Sequence, residues 1–130
     1  MPMLLLENDA LLRRTVMLTA RTLGLAEIHE TGSSAVARRM LRERSFRGAV
    51  VSLDFGTRKY HQYDLSLIDD IRTGTHPGMP SMPIAVLLDR CDAPLLLALR
   101  ERGVTRVILK PFRARVLLET FSEFITLQPA

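Results

Sequence analysis

The sequence predicts a parallel α/β sandwich of five strands alternating with five helices, and three features carry that expectation. Continuous apolar runs occur at Met3–Leu6, Ala49–Leu53 and Pro83–Leu88. They are too short for helices and too uniformly apolar for a half-wet sheet, so they read as strands buried on both faces. Each run stops at a carboxylate, namely Glu7, Asp54 and Asp89. Segments with helical spacing of apolar residues lie between the runs, and strands covered on both faces need helices on both faces.

Taken in order, Met3–Leu6 is the first strand and Glu7-Asn8-Asp9 ends it. Leu12, Val16, Thr19 and Leu23 then recur at helical spacing, with Asn8 or Asp9 able to cap the start and Gly24 closing the helix. Leu25 to Glu30 alternates weakly and reads as a short second strand. Thr31-Gly32-Ser33-Ser34 supplies a turn and a cap for a helix over Ala35 to Arg44, whose Val36, Met40 and Leu41 share one face. The third strand runs from Ala49 to Asp54, and Phe55 to Tyr63 is a polar loop. Asp64 can cap a helix to about Arg72 with Leu65, Ile68 and Ile71 inward; Thr73 to Met82, rich in Gly and Pro, is a linker. Pro83–Leu88 is the fourth strand. Asp92 caps a helix from Ala93 to Arg102, with Pro94 tolerated in its first turn, and Gly103 ends it. Val104 to Leu109 is the last strand, broken by Lys110-Pro111-Phe112, and Arg113 to about Leu127 is the last helix, with Val116, Leu117, Phe121 and Phe124 inward.

The length of 130 residues suits one domain, spanning 1–130, with no attached output domain. The single cysteine, Cys91, excludes an internal disulfide and any cysteine-built zinc site. No apolar run approaches membrane-spanning length and Met3–Leu6 is too short for a signal-peptide core, which predicts a cytoplasmic protein with no membrane contact. The net charge of +4 is carried almost wholly by arginine. Those arginines are scattered, with no zinc-finger spacing and no aromatic-rich strand, so DNA or RNA binding is not expected. His29, His61 and His76 fall on a strand and two loops and read as solvated side chains; Cys91 reads as a packing residue, and Arg38, Arg39 and Arg42 as a solvated helix face.

Right-handed crossovers and the flavodoxin-like order 2-1-3-4-5 place the first and third strands side by side. Glu7, Asn8, Asp9 and Asp54 then share one rim, and Lys110, leaving the fifth strand, leans toward it. Carboxylates with one lysine at such a rim suit a hard cation and a phosphoryl group. Asp54 can act as nucleophile to form an acyl phosphate, and Lys110 can pair with phosphoryl oxygens.

The pieces Leu4-Leu5-Leu6-Glu7-Asn8-Asp9, Val50-Val51-Ser52-Leu53-Asp54 and Lys110-Pro111-Phe112, with the Leu12-Arg13-Arg14 opening of the first helix, resemble the receiver domain of two-component response regulators over about residues 3 to 127. That resemblance implies a phosphoprotein of a phosphorelay: Asp54 phosphorylated by a histidine kinase or phosphotransfer protein, Mg²⁺ held near Glu7, Asn8, Asp9 and Asp54, and a cis bond before Pro111. It implies no enzyme beyond self-phosphorylation and self-dephosphorylation. A downstream protein target is implied too. The surface of the fourth helix, fifth strand and fifth helix (Arg100, Glu101, Arg102, Arg106, Arg113, Arg115, Glu119) is the expected docking or homodimer face.

Several positions depart from the pattern. The family's acidic pair falls on Glu7 and Asn8, so an amide stands where a metal-binding carboxylate is expected. Leu88 replaces the small hydroxyl residue at the end of the fourth strand, and Val107 replaces the aromatic in the fifth. Both halves of the usual relay from phosphorylation to surface change are therefore missing. The 55–63 loop, holding Arg58, Lys59, Tyr60 and His61, is longer than in relatives. A count without insertion puts Ser52 at the acceptor position; Asp54 is preferred because Ser52 is expected to lie inside the strand and point away from the rim. Two alternatives accompany the phosphoacceptor reading: a degenerate receiver that binds protein without phosphorylation, and an arginine-lined binder of an anionic nucleotide using Arg38 or Arg58.

Overall fold

The structure, a computed structural model, describes residues 2–25, 27–53, 64–74 and 76–127. Five strands and five helices alternate along the chain: β1 Pro2–Leu6, α1 Ala10–Leu23, β2 Glu27–Thr31, α2 Ser34–Glu43, β3 Ala49–Ser52, α3 Ser66–Thr73, β4 Ile84–Leu88, α4 Ala93–Glu101, β5 Arg106–Leu109 and α5 Ala114–Thr126. All strand pairs are parallel and the order is β2-β1-β3-β4-β5, as expected from the sequence. The register sets Leu6 beside Val51 and Ser52 beside Leu87, so β1, β3 and β4 end at one level.

Alternation along the buried strands sorts their side chains onto two cores. Leu4, Leu6, Val51, Val86 and Leu88 face α2, α3 and α4, where Leu41, Ile68, Ile71 and Leu99 meet them. Met3, Leu5, Val50, Leu87 and Ile108 face α1 and α5, packing on Val16, Ala20, Leu117, Phe121 and Phe124. Such period-2 sorting is what a strand covered on both sides requires.

Local signals set most boundaries. Asp9 is the α1 N-cap, its Oδ1 accepting from the Leu11 and Leu12 amides at 3.0 and 3.1 Å. Gly24 ends α1 at φ 66°, a left-handed conformation that favours a residue without Cβ. Asp92 caps α4 by accepting from Leu95 N at 2.8 Å. Asp64 contributes less than a full cap: its Oδ1 takes the Ser66 amide at 2.9 Å, but the N-cap residue is Leu65. Four strands are shorter than predicted. β4 begins at Ile84 rather than Pro83. β2 begins at Glu27 and β5 at Arg106, and β3 ends at Ser52, where Leu53 N still bonds Leu87 O at 3.1 Å. Asp54 and the 55–63 loop lie outside the described residues.

The helices of one layer are lashed together by arginines. Arg38 of α2 donates to Asp70 and Ser66 of α3. Arg102, the α4 C-cap, donates to Asp69 of α3 at 2.6 Å. Arg72 of α3 is half-buried and donates to four carbonyls: Arg102 at 2.7 Å, Gly103 at 3.0 Å, Pro80 at 2.6 Å and Met82 at 2.7 Å. A planar fork of fixed donors can satisfy acceptors in several directions at once. The solvated face expected of α2 is thus partly an inter-helix contact, since an arginine beside α3 finds carboxylates within reach.

Arg72→Ala is expected to lower unfolding free energy by about 2–3 kcal/mol, because charge-assisted hydrogen bonds are lost while their carbonyls remain. Arg72→Lys should recover less than half of that, a point charge being unable to reach all four oxygens. Urea unfolding checks both, and a loss below ~0.5 kcal/mol would show that the clamp is redundant.

Candidate functional site

The sheet's carboxyl end is where the strand order brings distant residues together. Glu7 follows β1 directly and is 1% exposed. Lys110 follows β5, and its backbone N–H donates to Leu88 O at 2.7 Å, which fixes its position beside the end of β4. The peptide joining Lys110 to Pro111 is cis, as the resemblance implies. From there the Lys110 Nζ lies 3.4 Å from Glu7 Oε1 and 3.4 Å from Ser52 Oγ. An amine, a carboxylate and a hydroxyl from three strand ends therefore share one small cup.

Glu7 is held on one side by chain geometry. Its Oε1 accepts from the Asp9 amide at 3.2 Å as well as from Lys110. Among the described residues its Oε2 is buried with no hydrogen-bond partner. A buried carboxylate oxygen without a donor costs about 1–3 kcal/mol, which a bound cation can offset. The donor chemistry fits a hard, oxygen-seeking ion, but Glu7 is the one carboxylate that the described residues bring into the cup. Asn8 and Asp9 are exposed at its lip, and Asp9 Oδ1 is engaged by the α1 amides. Among the described residues no group of three His, Cys, Asp or Glu side chains is placed to hold a metal ion.

Ser52 corrects the expectation that it points away from the rim. Because β3 stops there, Ser52 is itself the strand end; Leu53 turns to the α2–α4 core and Ser52 to the Lys110 side. Period-2 alternation could have placed Ser52 on the Glu7 side had the strand end been located correctly. Leu88 is fully buried in the core beneath α2, α3 and α4, and Val107 packs against the same cluster half-buried. Neither can hydrogen-bond an oxyanion.

The remaining candidates resolve individually. His76 is not simply solvated: its Nε2 meets Ile71 O at 2.7 Å and its Nδ1 accepts from Gly78 N at 3.0 Å. His29 Nε2 lies 3.0 Å from Glu27 Oε2 and 2.9 Å from Arg44 Nη1, donating to the first or accepting from the second according to tautomer, and its ring is edge-on to Phe46. That contact, led by the hydrogen bond to His29, holds the Glu27 carboxyl below its ordinary value. Cys91 packs against the core, and burial with the neighbouring Asp92 raises its thiol pKa, which argues against a reactive thiolate. On the face expected for docking, Arg102, Arg106 and Arg115 pair within the chain to Asp69, Glu123 and Glu119, while Leu97 and Leu109 are exposed. A cleft of about 330 Å³ opens beside the cup between Leu6, Ser34, Arg38, Ser52, Asp64 and Leu67.

This arrangement is the receiver fold. The chain is similar over 99% of its length to the non-phosphorylated HemR receiver domain of Leptospira biflexa, 97% of which is covered, with TM-score 0.78 and 21% identity. It is similar to the chemotaxis protein CheY4 of Vibrio cholerae (TM-score 0.75, 16% identity, 95% and 97% of the two chains). The orphan response regulator HP1043 of H. pylori also aligns (TM-score 0.75, 20% identity, 96% of each chain). No protein-family model and no curated protein matches the sequence. Among the described residues no helix is long and apolar enough to cross a membrane.

Lys110→Met is expected to destabilise the fold by about 1–3 kcal/mol, since it strands the buried Glu7 carboxylate; partial exposure of the lysine keeps the cost below that of a fully buried pair. Adding Glu7→Gln to that variant should restore part of the loss. A double-mutant cycle by chemical unfolding measures the coupling, and a coupling near zero would mean that the 3.4 Å contact contributes nothing.

Proposed function

We propose that the chain is a receiver-type signalling module that accepts a phosphoryl group on Asp54 from a histidine kinase or phosphotransfer protein and signals through protein contact. The observation that carries this reading is the Lys110–Glu7 contact at 3.4 Å between residues 103 apart in sequence. It forms the amine and carboxylate parts of a phosphoryl-binding cup at the strand end from which the chain runs, through Leu53, into Asp54. In the transfer an Asp54 carboxylate oxygen attacks phosphorus, the P–N bond of a phosphohistidine breaks, and the imidazole keeps the electron pair. Lys110 would pair with the phosphoryl oxygens. Glu7, Asn8 and Asp54, with Asp9 nearby, are the residues that would hold Mg²⁺, which when bound neutralises phosphoryl charge. The α4–β5–α5 face, with Leu97 and Leu109 exposed beside internally paired arginines, is the surface we assign to a downstream protein or a second copy.

A second reading has its own support. The hydroxyl of Ser52 stands beside Lys110, Leu88 is fully buried, and Val107 replaces an aromatic switch. Those features favour a degenerate receiver that binds its partner without phosphorylation. The nucleotide-binding alternative is weaker, because Arg38 is already ion-paired to Asp70 and Arg39 to Glu43.

Incubation with acetyl phosphate and Mg²⁺, read by intact mass, separates the two. One phosphoryl adduct that disappears in Asp54→Asn supports the phosphoacceptor; no adduct, with partner binding unchanged in Asp54→Asn, supports the degenerate form. Asn8→Asp adds a charged oxygen ligand and is expected to tighten Mg²⁺ binding severalfold by titration calorimetry. An unchanged affinity would place residue 8 away from the ion.

A further inference from the structure

The geometry points to Arg13, anchored by Glu30 over Gly32, as the positioning residue that sets Glu7 against the Lys110 amine. It rests on the strand-end cup alone and holds whether or not Asp54 takes a phosphoryl group.

Glu7 is where β1 leaves the sheet. Its N–H makes a last rung to Thr31 O of β2 at 3.1 Å, and among the described residues its carbonyl accepts from no strand amide. Arg13, in the first turns of α1, fills that role: its Nη1 donates to Glu7 O at 2.5 Å. The same guanidinium donates from Nε to the Glu30 carboxylate on β2. Arg13 is only 18% exposed in its side chain and Glu30 34%, so the pair is sheltered rather than solvated. One planar group thus spans the carboxyl ends of both β1 and β2, which an ammonium could not do with two divergent, fixed donors.

Gly32 makes the space. A Cβ there would stand 2.6 Å from Arg13 Nη1 and 3.3 Å from its guanidinium carbon. Any side chain at residue 32 therefore pushes the donor off the Glu7 carbonyl. Fixing that carbonyl fixes the peptide plane after Glu7 and so constrains the direction of its Cα–Cβ bond. The Asp9 amide grips the carboxylate itself at 3.2 Å. Held from both ends, Oε1 is presented to Lys110 Nζ. Arg13 bonds the Glu7 carbonyl and not its carboxylate or the amine; it acts on both through the Glu7 backbone.

The test reads the amine rather than stability. Lys59 and Lys110 are the only lysines, so a trace of N-hydroxysuccinimidyl acetate at pH ~8.5 on the unphosphorylated protein gives a Lys110 acylation rate with Lys59 as internal reference. An amine engaged by a carboxylate oxygen is screened from the ester and acylates slowly. Glu7→Gln should raise the Lys110/Lys59 rate ratio about 3–10-fold. Gly32→Ala and the near-isosteric Glu30→Gln should each raise it at least about twofold, with Arg13→Lys behaving like them. If Glu7→Gln accelerates Lys110 while Gly32→Ala and Glu30→Gln leave the ratio at the wild-type value, Arg13 only braces the fold and the assignment is overturned. If Glu7→Gln itself leaves the ratio unchanged, the amine is not set by Glu7 and the assignment fails as well. Neither result depends on the acetyl phosphate experiment, which tests Asp54.

Discussion

A parallel sheet covered on both faces leaves only its two ends available for polar chemistry, and that constraint governs this molecule. The side chains of β1, β3 and β4 are committed to one of two apolar cores, with Leu4, Leu5, Val50, Val51, Val86 and Leu87 all at or near zero exposure. A charged group can be placed only where a strand stops. Glu7, Ser52 and Lys110 are such positions, and the strand order β2-β1-β3-β4-β5 makes the first two neighbours. Lys110 then spans β4 to reach them, with its own amide tied to Leu88 O. A burial requirement of the whole sheet thereby becomes the proximity of an amine, a carboxylate and a hydroxyl.

Much of this was legible in the residues because strand burial and helix capping are local signals. The apolar runs marked β1, β3 and β4, and Asp9, Gly24 and Asp92 marked helix ends through side-chain oxygens and a left-handed backbone. What could not be read was where β3 stops. An apolar run ending in Ser-Leu-Asp has no residue that terminates a strand, and the end is set by pairing with β4, whose last partner is Leu87 opposite Ser52. That offset turned Ser52 from an interior residue into a member of the cup. The arginines were illegible for a related reason. Arg38, Arg72 and Arg102 look like solvated charges in sequence, and only the packing of α2, α3 and α4 supplies their carboxylate and carbonyl partners.

Under the proposed signalling reading, those arginines bear on how a change at the cup would spread. In a relay through the fourth and fifth strands, a hydroxyl and an aromatic change places; Leu88 is sealed in the core and Val107 has no ring to move. The lashings run elsewhere. Asp69 and Arg72 tie α3 to the C-terminal end of α4, and Asp70 and Ser66 tie it to α2. Asp64 Oδ1 holds the Ser66 amide at 2.9 Å just ahead of the Leu65 N-cap and Arg38 holds the Ser66 hydroxyl, so the start of α3 is tied directly to α2. A displacement at the start of α3 would load both neighbouring helices at once, because packed elements shift between discrete arrangements rather than deform smoothly.

The cup itself carries an electrostatic asymmetry that follows from the same geometry. One oxygen of Glu7 is answered by Lys110 and the Asp9 amide, and the other is buried without a donor among the described residues. A carboxylate in that condition is poised to accept one more positive or donating group, and burial magnifies the reward for supplying it. Asn8, exposed at the lip, adds no second charge beside Glu7. Direction then matters more than charge. Among the described residues Glu7 is the carboxylate that meets the amine, and its orientation is set at its carbonyl by a guanidinium admitted by the missing side chain of Gly32.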